Sequence, residues 1–185
     1  MSLMLLGILN SQAAGGGGGA YDLLETTTLT NTANRVTFSG LGSLADYQHL
    51  QIRFVARGND TNLYLSFNAD NDNSNYRGHT LNGDGTSVYS QTSTLGIQTS
   101  QVISTEANIF TAGVMDILDF SSSKTGTVRT LTGVAGSSTK RISLTLGIRD
   151  STASPITSIR IDMAFGGSGL WQVGTRFSLY GIKGA

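Results

Sequence analysis

Any acid–base or metal chemistry in this chain must come from few side chains. There are two histidines, His49 and His79, and no cysteine. The absence of cysteine excludes disulfides, thiolate metal sites and thiol nucleophiles. Zinc would need a second histidine at ligand spacing, and neither histidine has one. His49 falls on the polar side of an alternating segment, and His79 is expected in a loop with Tyr76 and Arg77. Gly-x-Ser-x-Gly is absent, so nothing singles out one serine as a nucleophile. Asp116 and Asp119 stand near the end of an apolar stretch. A strand would put them on opposite faces, which removes them as a paired acid and base. They are expected to satisfy backbone groups or to pair with Arg129 or Lys124.

Asn68, Asp70, Asn71, Asp72, Asn73 and Asn75 collect oxygen atoms of the kind a hard cation takes. The calcium-loop pattern fails, because Asn75 rather than glycine is sixth from Asp70 and no glutamate closes the loop. Asn and Asp also dominate turns, since they tolerate left-handed backbone, and a turn is the favoured expectation. Tyr64, Asp70, Asp72 and Tyr76 remain the candidate contacts for a glycan or a cation, with Tyr89 nearby in sequence, and core or subunit contacts are the favoured expectation for the three tyrosines. The glycines at 15–19 are not a phosphate loop: no strand precedes them, no helix follows, and no Lys-Ser/Thr pair is present. No catalytic residue, metal or cofactor is expected, and the chain is not read as an enzyme.

The elements that would position these groups read as β throughout. Leu50, Ile52, Phe54 and Ala56 alternate with His49, Gln51, Arg53 and Val55. Leu63, Leu65 and Phe67 alternate with Tyr64, Ser66 and Asn68. Ile142, Leu144, Leu146 and Ile148 alternate with Arg141, Ser143, Thr145 and Arg149. Ile159, Ile161, Met163 and Phe165 alternate with Ser158, Arg160 and Asp162. Alternation of period two marks half-buried antiparallel strands with one polar face. Further strands are expected at 35–38, 87–91, 96–103, 110–120, 127–134 and 176–182. Gly/Asn/Asp/Ser turns at 57–60, 82–85, 121–126 and 136–138 separate them. Many short strands at regular spacing predict an all-β, antiparallel β-sandwich, jelly-roll-like in plan. Trp171 is expected in the core or at a subunit contact.

The first twenty residues differ from the rest. Leu3, Met4, Leu5, Leu6, Ile8 and Leu9 form an apolar tip, and Gly15, Gly16, Gly17, Gly18 and Gly19 form a hinge behind it. The division is therefore an extended apolar arm at 1–20 and a sandwich at 21–185. The run is about half the roughly 20 residues a membrane span needs. It resembles a signal peptide in its apolar core, but the first Lys or Arg is Arg35, so the positive start is missing. Burial of the tip by another protein is the expectation.

Of the 185 residues, 13% are charged, against about 25% in typical globular chains, and the formal net charge is zero. Solubility must come from Ser, Thr, Asn and Gly. Such a chain lacks the clustered Lys/Arg of a nucleic-acid binder. It offers neighbouring copies little repulsion.

The segments at 6–13, 20–29, 114–120 and 174–184 (Leu6-Gly7-Ile8-Leu9-Asn10-Ser11-Gln12-Ala13 at the first, Gly174-Thr175-Arg176-Phe177-Ser178-Leu179-Tyr180-Gly181-Ile182 in the last) resemble a family of small virion structural proteins of tailed phages, frequent in aquatic and cyanobacterial phages. The resemblance covers nearly the whole chain and is most specific at its two ends. It implies a virion component assembled in the bacterial host cytoplasm, and it transfers no catalytic residue. The expected role is a capsid decoration or cement protein, held by its arm to the major capsid protein or another virion protein. A homotrimer is expected because several arms on one body multiply avidity. Neither nucleic acid nor membrane is an expected partner. The alternative is a tail or neck fibre protein that binds host glycans.

Overall fold

Side chains alternate between the two faces of every strand, and large apolar residues fill many of the inward positions here. In the computed structural model, which describes residues 20–93, 97–100, 102–122, 126–137, 140–149, 154–164 and 168–184, this yields two packed antiparallel sheets. The strands are β1 (Tyr21–Thr28), β2 (Arg35–Phe38), β3 (His49–Ala56), β4 (Leu63–Phe67), β5 (Tyr76–Gly83) and β6 (Val88–Ser93). They continue as β7 (Ile97–Ser100), β8 (Thr111–Leu118), β9 (Gly126–Ala135), β10 (Lys140–Arg149), β11 (Ile159–Asp162) and β12 (Arg176–Ile182). The large sheet has the order β1-β12-β3-β8-β9-β10-β5-β6, and the small one β2-β11-β4-β7. The chain crosses repeatedly between them, as the sandwich expectation required, with the sheets unequal in width.

The core lies under the first half of the large sheet. Leu50, Ile52 and Phe54 of β3, Met115 and Ile117 of β8, and Phe177 and Leu179 of β12 are buried with Phe38, Leu65, Phe67, Ile159 and Ile161 of the small sheet. Trp171 is wholly buried, edge-to-face on Phe177 at 5.2 Å, and its indole N–H donates to the Ile161 carbonyl at 3.3 Å. Of its two expected settings, it takes the core.

Two strands were not anticipated. β1 and β5 carry YDLLETTT and YRGHTLNG, which lack a continuous apolar face. His79 therefore sits on a strand, not in a loop. β11 ends at Asp162, short of the expected alternation through Phe165. The anchoring residues Leu3, Met4, Leu5, Leu6, Ile8 and Leu9, the hinge glycines 15–19, Lys124 and Phe165 lie outside the described residues.

Candidate interaction surface

The second half of the large sheet reverses the usual polarity. In β10 the expected buried face is the outer one: Ile142, Leu144 and Leu146 are 56%, 46% and 45% exposed, while Ser143 and Thr145 are buried. Register explains the extent. Leu144 pairs with Leu131 of β9 on one side and Leu81 of β5 on the other, and both are about half exposed. Val88 of β6, opposite Gly83, extends the patch toward the sheet edge. Beneath, the inner face is a grid of small polar groups: Asn82, Ser143 and Thr132 in one row, Thr80, Thr145 and Thr130 in the next. Thr80 and Thr145 hydrogen-bond each other at 3.0 Å. Asn82, Thr130 and Ser143 hold buried side-chain atoms without a hydrogen-bond partner, a costly arrangement that packing must offset.

Close approach of the small sheet accounts for the inversion. A Cβ on Gly147 would meet the Ile97 side chain at 2.1 Å. At that position the inner face has no room even for a methyl group, and its neighbours Ser143 and Thr145 are small, while the leucines take the outer face. On the order of 500 Å² of aliphatic surface is left in water, at the upper end of what a monomer exposes.

Next to the patch the outer face dips into an open groove of about 520 Å³. Ala112, Val114 and Gly133 form its floor, Leu131 and Ile142 one wall, and Val55, Arg176, Arg53 and Tyr180 the other. The Arg53 guanidinium lies 4.5 Å from the Tyr180 ring centre and 5.2 Å from that of Tyr21. From there a polar chain crosses the sheet. Arg53 Nε donates to Gln51 Oε1 (2.7 Å), Gln51 Nε2 donates to Asp116 Oδ1 (2.8 Å), and Arg129 Nη2 donates to Asp116 Oδ2 (2.8 Å). The expected Asp116–Arg129 pair is thus present. Asp119 instead accepts from Gln48 Nε2, and its backbone N–H donates to His49 Nδ1.

The root of the arm is clamped. Asp22 Oδ2 accepts from the Tyr47 hydroxyl at 3.0 Å and faces Lys183 Nζ at 3.1 Å. Gly181 lets the Tyr47 ring sit against β12; a Cβ there would lie 2.4 Å from the ring. Lys183, then Tyr47, holds the Asp22 carboxyl below its ordinary value, and Asp22 in turn raises both Tyr47 and Lys183.

The candidate glycan or cation contacts are dispersed in role. Tyr76 is 1% exposed; its hydroxyl accepts the Phe67 N–H, and burial raises its pKa. It presents no ring face to a sugar; of its two expected settings it takes the core, and the glycan contact is corrected. Tyr64 is half-buried, and burial raises its pKa as well. Asp70 accepts from the Asp72 N–H and Asn75 Nδ2, and Asp72 accepts from the N–H and hydroxyl of Ser74. The Ser74 bonds lower the Asp72 pKa. These carboxylates shape the turn, as Asn/Asp-rich sequence favours. Among the described residues no three His, Asp or Glu side chains gather as a metal site.

The outer patch itself was missed in the sequence. Alternation located β10 but cannot tell which face is covered; Gly78, Gly147 and the Ser/Thr inner positions were the available signal. Comparison with protein-family models, with curated proteins and with solved structures found no match.

Proposed function

We propose that this chain is a structural component of a tailed-phage virion, a capsid decoration or cement protein rather than an enzyme. The observation that carries this is the broad aliphatic outer face on a sandwich with little charge. That surface suits permanent contact with other protein, where apolar area removed from water supplies the driving force. The apolar arm adds a second contact. Burying Leu3, Leu5, Leu6, Ile8 and Leu9 contributes about 1.5–3 kcal/mol each before ordering costs, and ordering the backbone costs about 1–2 kcal/mol per residue. One arm therefore binds modestly, and a homotrimer gains by avidity. The clamp at Asp22 suits an arm that bears load. Its partner would be the major capsid protein or another virion protein, and its location the virion.

Two measurements test the proposal. Quantitative mass spectrometry of purified particles should find copy numbers comparable to the major capsid protein. A far smaller number would instead place the protein at the tail or neck. Deleting residues 1–19 should leave a folded, soluble sandwich that no longer joins particles; normal incorporation of that variant would refute the anchor.

A further inference from the structure

We infer that the exposed patch on β9, β10 and β5 is the seat of this chain's own apolar tip, residues 3–9, folded back in the free protein. This rests on the tip being the anchor proposed above, and adds where the anchor lies before it meets a partner.

The patch has the right chemistry. Leu81, Leu131, Ile142, Leu144 and Leu146 are 45–56% exposed and contiguous through the β9–β10–β5 register. The same face carries Arg53, Arg77, Arg129, Lys140 and Arg176, with Asp116 among them, by strand alternation. A second copy laid face to face would set those cations against each other. Residues 1–21 contain no Asp, Glu, Lys or Arg. An uncharged aliphatic segment meets no such repulsion.

The lengths also agree. β1 begins at Tyr21, which lies on this face beside Arg53. β10 is five strands away from β1 in the sheet order, about 24 Å at about 4.8 Å per strand. Through the pairings, Tyr21 stands level with Ile148, so Leu144 is a further four residues along, about 14 Å. The direct path is about 28 Å, and residues 9–20 extend to about 36–40 Å. Residues 3–9 then span about 23 Å, enough to cross the patch. A tether of this length holds its tip at about millimolar effective concentration, so in a micromolar solution of unassembled monomer the chain's own arm outcompetes that of another copy. Assembly would exchange this contact for one with a virion partner.

The full chain allows a direct test, because it has no cysteine of its own. Leu6→Cys combined with Leu144→Cys, oxidised at micromolar concentration, should give an intramolecular disulfide, seen as cross-linked monomer. The yield should be several-fold above that of Leu6→Cys with Ser43→Cys, at the exposed β2–β3 connection. Disulfide-linked dimer would assign the seat to a second copy's arm, and yields equal to the control would assign it to no arm; either overturns the inference. A second readout avoids cysteines. Leu5→Asp with Leu6→Asp should uncover the patch and raise binding of an apolar fluorescent dye several-fold, and unchanged dye binding would count against the latch. Particle copy number tests the anchor independently, so either idea can fail without the other.

Discussion

Asp22 ties β1 to the rest of the fold through two neighbours of different pH behaviour. Its folded pKa lies below the ordinary 3.8, first because of Lys183 and then because of Tyr47. A carboxylate depressed in this way contributes stability that is present above its unfolded value and lost as pH falls through the folded one. Lys183 is raised above 10.5 by Asp22, so its contribution is present below that value and lost as pH rises through the folded pKa. The Tyr47 hydroxyl, raised above 10.0 by the same carboxylate, acts on the same side. The clamp therefore operates from about pH 4 to about pH 10. Asp22→Asn should lower the urea midpoint relative to wild type near neutrality, and the gap should close as pH falls below 3.8. A gap that persisted undiminished in acid would show that the carboxylate charge is not what holds β1. Trp171, the lone tryptophan, is buried in the core and provides the fluorescence signal.

At the scale of elements, β10 is where pattern and packing part company. Its alternation is as regular as that of β3, yet β3 buries its apolar side and β10 exposes it. Period two reports only that two faces differ; which one is covered depends on what lies across the sheet. Over β3 the small sheet leaves room for Leu50, Ile52 and Phe54, whereas over β10 Ile97 presses on Gly147. β3, β4 and the two-sheet plan were thus legible in the residues. β1 and β5 were not, since Thr26, Thr27 and Thr28 in one, and Gly78, Thr80 and Asn82 in the other, give neither face an apolar signature. Of the candidate site, the Asp116–Arg129 pair was legible; the buried setting of Tyr76 depends on contacts with β4 and the turn after it, which no local spacing records. The reversal is testable in both directions. Leu144→Thr with Leu146→Thr, made in the protein lacking residues 1–19 so that no arm can seat on the patch, should cost no more than about 1 kcal/mol. Ser143→Leu or Thr145→Leu should cost about 1–3 kcal/mol by overpacking the closely approached inner face. Urea midpoints that ranked these variants the other way would require β10 to be turned over by one residue.

The whole molecule combines a zero net charge with an uneven distribution of what charge it has. Basic side chains border the aliphatic face of the large sheet, while Asp60, Asp70 and Asp72 lie on or beside the β4 connections, away from it. In the proposed virion role two forces would hold the protein on a particle, and ionic strength separates them. Between about 0.1 M and about 1 M salt the Debye length falls from about 10 Å to about 3 Å, and contacts made through Arg53, Arg176 and Lys140 would weaken steeply. Contacts made through Leu81, Leu131, Ile142, Leu144 and Leu146 would not, because burial of apolar surface does not depend on screened charge. Washing particles at about 1 M sodium chloride should therefore leave the protein bound, with the retained fraction measured against the major capsid protein. Leu144→Lys should lower the bound fraction at every salt concentration, since it places a charge within the apolar contact. Release of wild-type protein by salt alone would move the interface from the leucines to the arginine border, and the partner would then have to be an acidic surface rather than an apolar one.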